Sequence, residues 1–272
     1  MPRAPLLSCA LALAATVPAC GDGSASATGT TQGTTAEPSG TDTEATTDTA
    51  GTGTDTSGLA PRRCVAPPGM GSPPTITAAL ALLNALPEPV DVACVLESLD
   101  RPLAIHATSS TFSAQPATGA DNPRIFVFVA DGALILSVVP DGDGARLLEF
   151  GQTQGYGDGE SLKGELHMPA LPPIAADEPY GHLRYTEDVT SCGVCHRYER
   201  LAPTIGHPNA FVSLALRPDP LRDVPLADLE LEWSMCEATQ TPERCAILDA
   251  IFLHGPVEGR AFPESWATIF DR

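Results

Sequence analysis

Five consecutive residues, Cys192-Gly193-Val194-Cys195-His196, carry the clearest chemical signal in this chain of 272 residues. Two thiols three positions apart, with an imidazole beside the second, suit four chemistries. They can add to the two vinyl groups of one haem while the histidine takes the iron, the first reading of this spacing in an exported protein. They can form a redox dithiol whose first sulfur attacks as a thiolate. They can join a zinc site if further Cys or His ligands converge. They can also close ordinary disulfides, leaving His196 as a surface residue.

The choice depends on where the chain works. Arg3 precedes an apolar run from Leu6 to Val17 that is too short for a permanent membrane span, so residues 1–20 read as a signal peptide. The run ends in Val17-Pro18-Ala19-Cys20, which resembles the lipobox of bacterial lipoproteins. That resemblance implies cleavage before Cys20, a lipid on its thiol, and a membrane anchor in the cell envelope. Residues 21–58 are Thr, Gly, Ser and Ala with scattered acids, and they lack Leu, Ile, Val, Met and aromatics. Such a segment cannot form a core and reads as a disordered linker reaching on the order of 35 Å.

Residues 59–272 hold six cysteines, an even number suited to pairing in an oxidising compartment. Cys64–Cys94 and Cys236–Cys245 are the sequence-local pairs, which leaves Cys192 and Cys195 over. Fifteen connectivities remain open on sequence alone. The net charge of −19, about −14 of it in residues 59–272, disfavours nucleic acid and anionic lipid surfaces as partners.

Residues 192–196 resemble c-type cytochromes over these five positions. The resemblance implies haem c as cofactor, Cys192 and Cys195 as thioether anchors, His196 as proximal iron ligand, and electron transfer to a redox partner protein. The sixth ligand is open: Met168, Met235, His207 and His254 are the candidates, and the chain departs from short cytochromes in lacking a plain downstream Met loop. Tyr185–Thr190 before the motif and Arg197–Leu201 after it resemble the strand and helix around the Cys-Gly-x-Cys-His of periplasmic disulfide isomerases. There Cys192 would be the nucleophile. A thioredoxin-like fold, however, needs further parallel strands that the remaining residues do not supply. The arrangement of lipobox, Thr/Gly-rich stalk and Cys-bearing domain resembles lipoproteins of predatory and social soil bacteria. The alternative to electron transfer is a non-catalytic surface lipoprotein, a binding or structural module stabilised by disulfides.

The elements that must position the motif follow from periodicity. Thr75–Leu86 has helical spacing and stops before Pro87. Short β-rich runs at 102–108, 124–129, 134–139, 146–150 and 162–167 are split by turn residues, among them Asp131-Gly132 and Asp141-Gly142-Asp143-Gly144. Thr241, Pro242 and Gly255 mark both ends of another helix, and 224–235 and 263–270 read as shorter ones, with Leu226, Leu229, Trp233, Trp266 and Phe270 as core residues. The predicted class is α+β: a β-rich antiparallel region over 59–188, then a mainly helical part over 189–272 that bears the motif. The sequence shows no Gly-x-Ser-x-Gly or His-Glu-x-x-His signature of a hydrolase.

Overall fold

Short runs rich in β-branched, aromatic and leucine side chains build an antiparallel meander of five strands: β1 (Leu103–Thr108), β2 (Arg124–Val129), β3 (Leu134–Val138), β4 (Leu147–Gln152) and β5 (Glu160–His167). The computed structural model describes residues 61–113, 115–202 and 204–271; the segments read from sequence as a signal peptide (1–20, with Cys20) and a linker (21–58) lie outside them. The turn between β2 and β3 uses Asp131 and Gly132 at φ 57° and 83°, the left-handed backbone that Asp and Gly tolerate best.

The register aligns Ile105, Val127, Leu136, Leu148, Leu162 and Leu166 on one face, and all are buried. On this face they share one cluster with two short helices, α1 (Ile76–Leu83) and α2 (Val92–Ser98). The Thr75 hydroxyl caps α1 by accepting from the Ala78 N–H at 3.1 Å. The Asp91 carboxylate caps α2 by accepting from the Cys94 N–H at 2.7 Å. No helical period marks α2, because six of its seven residues are buried and no polar stripe sets off a face.

The C-terminal part adds helices α3 (Glu178–Gly181), α4 (Leu226–Ser234) and α5 (Pro242–Phe252), and four short strands: β6 (Arg200–Leu201), β7 (Phe211–Leu214), β8 (Asp223–Val224) and β9 (Val257–Gly259). The strands extend the same sheet, in the order β6-β7-β5-β4-β3-β2-β1-β8, with β9 parallel to the first half of β1. The class is therefore α+β, with a mixed sheet whose strands dominate the middle of the chain and helices concentrated towards the C-terminus. Strands this short carry too few residues to show a period.

Residues 263–270 form turns rather than a helix. Trp266 and Phe262 are anchored on the sheet, and the Arg217 N–H donates to the Ala267 carbonyl at 3.0 Å, bonds that an isolated helical turn would forfeit. Phe270 is accordingly 53% exposed and touches Phe112 instead of the core. Trp233 is half-buried, with its ring stacked on Phe252 and its Nε1 donating to Asp249 at 2.8 Å.

Disulfides join Cys64 to Cys94 and Cys236 to Cys245. The first closes a loop of 30 residues' separation and the second one of 9, so loop entropy favours the first. Replacing Cys64 and Cys94 by Ser is expected to cost about 4 kcal/mol in urea unfolding, against about 3 kcal/mol for Cys236 and Cys245. Equal costs would show that strain or residual structure outweighs chain entropy.

Candidate functional site

The alternation that buries one face of the sheet presents a different set of side chains on the other. One cross-strand row there runs His106, Phe126, Ser137, Glu149, Glu165, and the next runs Ala104, Phe128, Ile135, Gly151, Lys163. A face meant only for water would not carry such aromatics, and a face meant only for packing would not carry Arg124, Glu149 and Lys163. Both kinds occur together because two segments cover this face incompletely.

The first cover is the C-terminal strap. Phe262 sits edge-on to Phe126 and Phe128, with ring centroids at 5.0 and 4.9 Å, and close to Trp266 at 5.8 Å. Arg260 ties the strap down by pairing with Asp131 at 2.8 Å and lying 5.0 Å above the Phe128 ring.

The second cover is the motif. Cys192–Val194 forms a single 3-10 turn, not the first turn of a long helix, and the His196 N–H closes it onto the Cys192 carbonyl at 2.8 Å. The Thr190 N–H donates to the Glu199 carboxylate at 2.9 Å, which draws the two ends of the motif together. Gly193 is demanded by this closure, because a Cβ there would overlap the Glu199 carboxylate and the Val189 side chain. Tyr198, at φ 59°, then reverses the chain into β6.

Between covers and sheet lies a groove in two joined parts, of about 670 and 790 Å³ including their open mouths. Arg124, Phe126, Glu149, Cys192 and His196 line both parts. Phe262, Trp266, Ile135 and Lys163 belong to the first, Cys195 and Arg217 to the second. Gly151 keeps the floor low, since only ordinary contacts would meet a Cβ there. Arg124 is fixed by an ion pair with Glu149 and by its Nε donating to Ser137 at 2.6 Å.

The Cys192 and Cys195 thiols are both free and half-buried. Desolvation of the sulfur pushes the Cys192 thiol up to about 11, against a smaller downward pull from Lys163. The His196 ring donates from Nδ1 to the Leu214 carbonyl at 2.7 Å, which fixes the tautomer and leaves Nε2 with a lone pair. Burial, then the Lys163 charge, hold its pKa well below the usual histidine range, so it is neutral at pH 7. A neutral imidazole with one nitrogen spoken for is the form that ligates a metal. Cys192, Cys195 and His196 thus meet at one groove. The suggested sixth ligands do not line it: Met168 is in the core, Met235 is 57% exposed, His207 accepts from the Asn209 N–H, and His254 lies 3.3 Å from Glu97.

Sequence reasoning missed Arg124, Glu149, Lys163, Phe262 and Trp266 as site residues. The available signal was charge at outward strand positions followed by aromatics near the end of the chain. Among the described residues no group of three or more His, Cys, Asp or Glu side chains is placed to hold a metal ion by itself.

A thiol at about 11 is a poor nucleophile at neutral pH. In protein with both thiols free, alkylation of Cys192 by iodoacetamide at pH 8 is expected to run about a hundredfold slower than that of an unhindered thiol. Rapid modification of Cys192, read by peptide mass mapping, would show it to be an activated thiolate instead.

No family model, curated protein or solved structure matches the chain.

Proposed function

We propose that this is a cell-envelope lipoprotein, anchored through Cys20, that binds one haem c in the groove beside residues 192–196 and passes single electrons to a partner protein. The observation that carries the reading is the state of the three motif groups. Two thiols stand unpaired where the other four cysteines of residues 61–271 are bonded, and His196 keeps Nε2 for a ligand by committing Nδ1 to Leu214. The three donors are of the right kind, but the enclosed space beside them is only about 90 and 120 Å³ and Arg124 is already paired with Glu149, so the groove as it stands does not fit the whole group. Cys192 and Cys195 would hold it by adding S–H across its two vinyl groups, a step that consumes no oxidant. When bound, the haem supplies one-electron cycling of its iron between ferric and ferrous states. His196 would supply the ligand nitrogen, and Phe126, Phe262 and Trp266 would be its apolar neighbours.

Exporting the full chain in cells that mature c-type cytochromes tests this. A band that stains for haem after denaturing electrophoresis, and that disappears in Cys195→Ser, is the expected result. Colourless protein from the same cells would end the reading.

A second reading, a disulfide-stabilised binding module, is favoured by one observation. Cys64–Cys94 and Cys236–Cys245 already secure the fold without the motif, and the groove would serve a small anionic ligand through Arg124, Lys163 and Arg217. The thiol oxidoreductase reading is weakened by the burial of Cys192 and by the absence of a long helix after it.

A further inference from the structure

Two histidines meet at the end of β5, away from the thiols. β7 pairs with β5 over Glu160–Leu162, and α3 packs beside the remainder, where Gly164 leaves room for Pro179. That packing brings His182, at the C-terminal end of α3, edge-to-face against His167, the last residue of β5, with ring centroids 4.8 Å apart. Glu165, two positions before His167 and so on the same face of the strand, has its Oε1 3.8 Å from His167 Nε2. Glu178 Oε1 lies 3.6 Å from His182 Nε2. Both separations are longer than a hydrogen bond, so neither carboxylate closes on its ring. Each of the other four histidines has a ring nitrogen within 3.3 Å of a partner, in Asp223, Leu214, Asn209 or Glu97. The His167 and His182 side chains are 61% and 46% exposed and free to turn, whereas that of Glu165 is 15% exposed. Burial and then Glu149 raise the pKa of Glu165, against the downward pull of both histidines.

We propose that His167 and His182 together bind one divalent transition-metal ion, Cu²⁺ or Zn²⁺, a role independent of the haem reading. Two imidazoles in contact offer two nitrogen lone pairs, the donors that these ions prefer over the all-oxygen sets suited to Ca²⁺ and Mg²⁺. Rotation about the two side-chain bonds of each exposed ring turns both nitrogens to one point. Glu165 and Glu178 place two negative charges beside the dication, and the half-buried Glu165 carboxylate holds its place while the rings turn. Two donors are fewer than the ready-made group of three that the described residues lack, so water completes the coordination of the ion.

The test titrates the full chain with Zn²⁺ alone by calorimetry, after Cys192→Ser and Cys195→Ser, because free thiols also ligate zinc. The same chain carrying His167→Gln or His182→Gln in addition is measured beside it. The expected result is one ion bound, with affinity at least about tenfold weaker in each histidine variant. Unchanged affinity in either variant overturns the site, since both rings must ligate. Absence of binding before the histidines are replaced overturns it too, as does displacement of Zn²⁺ by excess Ca²⁺, which would mark a carboxylate site. Should any variant not fold, the electron paramagnetic resonance spectrum of Cu²⁺ added to the unsubstituted chain decides. Two coordinated nitrogens without sulfur are expected there, and any other set overturns the proposal.

Discussion

On the haem reading, His196→Gly is expected to change the visible spectrum of protein that carries the group, and millimolar free imidazole is expected to restore it. The argument is geometric. The ring is held by one hydrogen bond, from Nδ1 to Leu214, and it is enclosed by the motif turn and the sheet face. Removing it leaves a slot shaped for an imidazole, still bounded by the Leu214 carbonyl that orients the replacement. The thioethers do not depend on His196, so haem staining of the protein made should persist. A spectrum unaltered by the substitution would place the iron ligand elsewhere. Rescue by imidazole separates loss of a ligand from loss of the fold, because a misfolded chain has no slot to fill.

The second large effect is on stability. Leu136→Ala is expected to lower the free energy of unfolding by about 3 to 4 kcal/mol in urea titration, whereas Ser137→Ala, one residue on, should cost about 1 kcal/mol. Leu136 is 1% exposed and packs in the cluster formed by the sheet, α1 and α2. Ser137 points the other way; its hydroxyl accepts from Arg124 Nε at 2.6 Å and donates to Gln115 Oε1 at 2.9 Å. The contrast tests the division of labour between the two faces. Comparable losses would mean that the groove side contributes to stability as much as the core.

The five central strands are legible because each is a short β-rich run set off by turn residues such as Gly, Asp or Pro. The α5 start was legible because Pro242 suits a first helical position, which has no hydrogen-bond partner for an N–H. The turns at 263–270 were misread because Pro263, Trp266 and Phe270 have helical spacing, and only contact with the sheet decides against it. The site was legible in its three motif residues and nowhere else. Arg124, Lys163 and Phe262 lie 68, 29 and 66 residues from the motif's nearest end, and only the fold brings them to one face. Nothing local in the sequence reports a pairing of that kind.

The closure of Glu199 onto Thr190, which folds the motif against the sheet, bears on the order of assembly. Both thiols must be reached by whatever machinery attaches a cofactor to them. Once the sheet has formed, Cys192 lies under its own turn with its sulfur desolvated. The core and both disulfides, by contrast, form without the motif's participation. On the haem reading, maturation is therefore a race between attachment to the newly exported chain and completion of a fold stable enough to shut the attachment site. Slowing the fold, by a core substitution such as Leu136→Ala, would lengthen the window in which the thiols stay open and raise the fraction of chains that receive their cofactor.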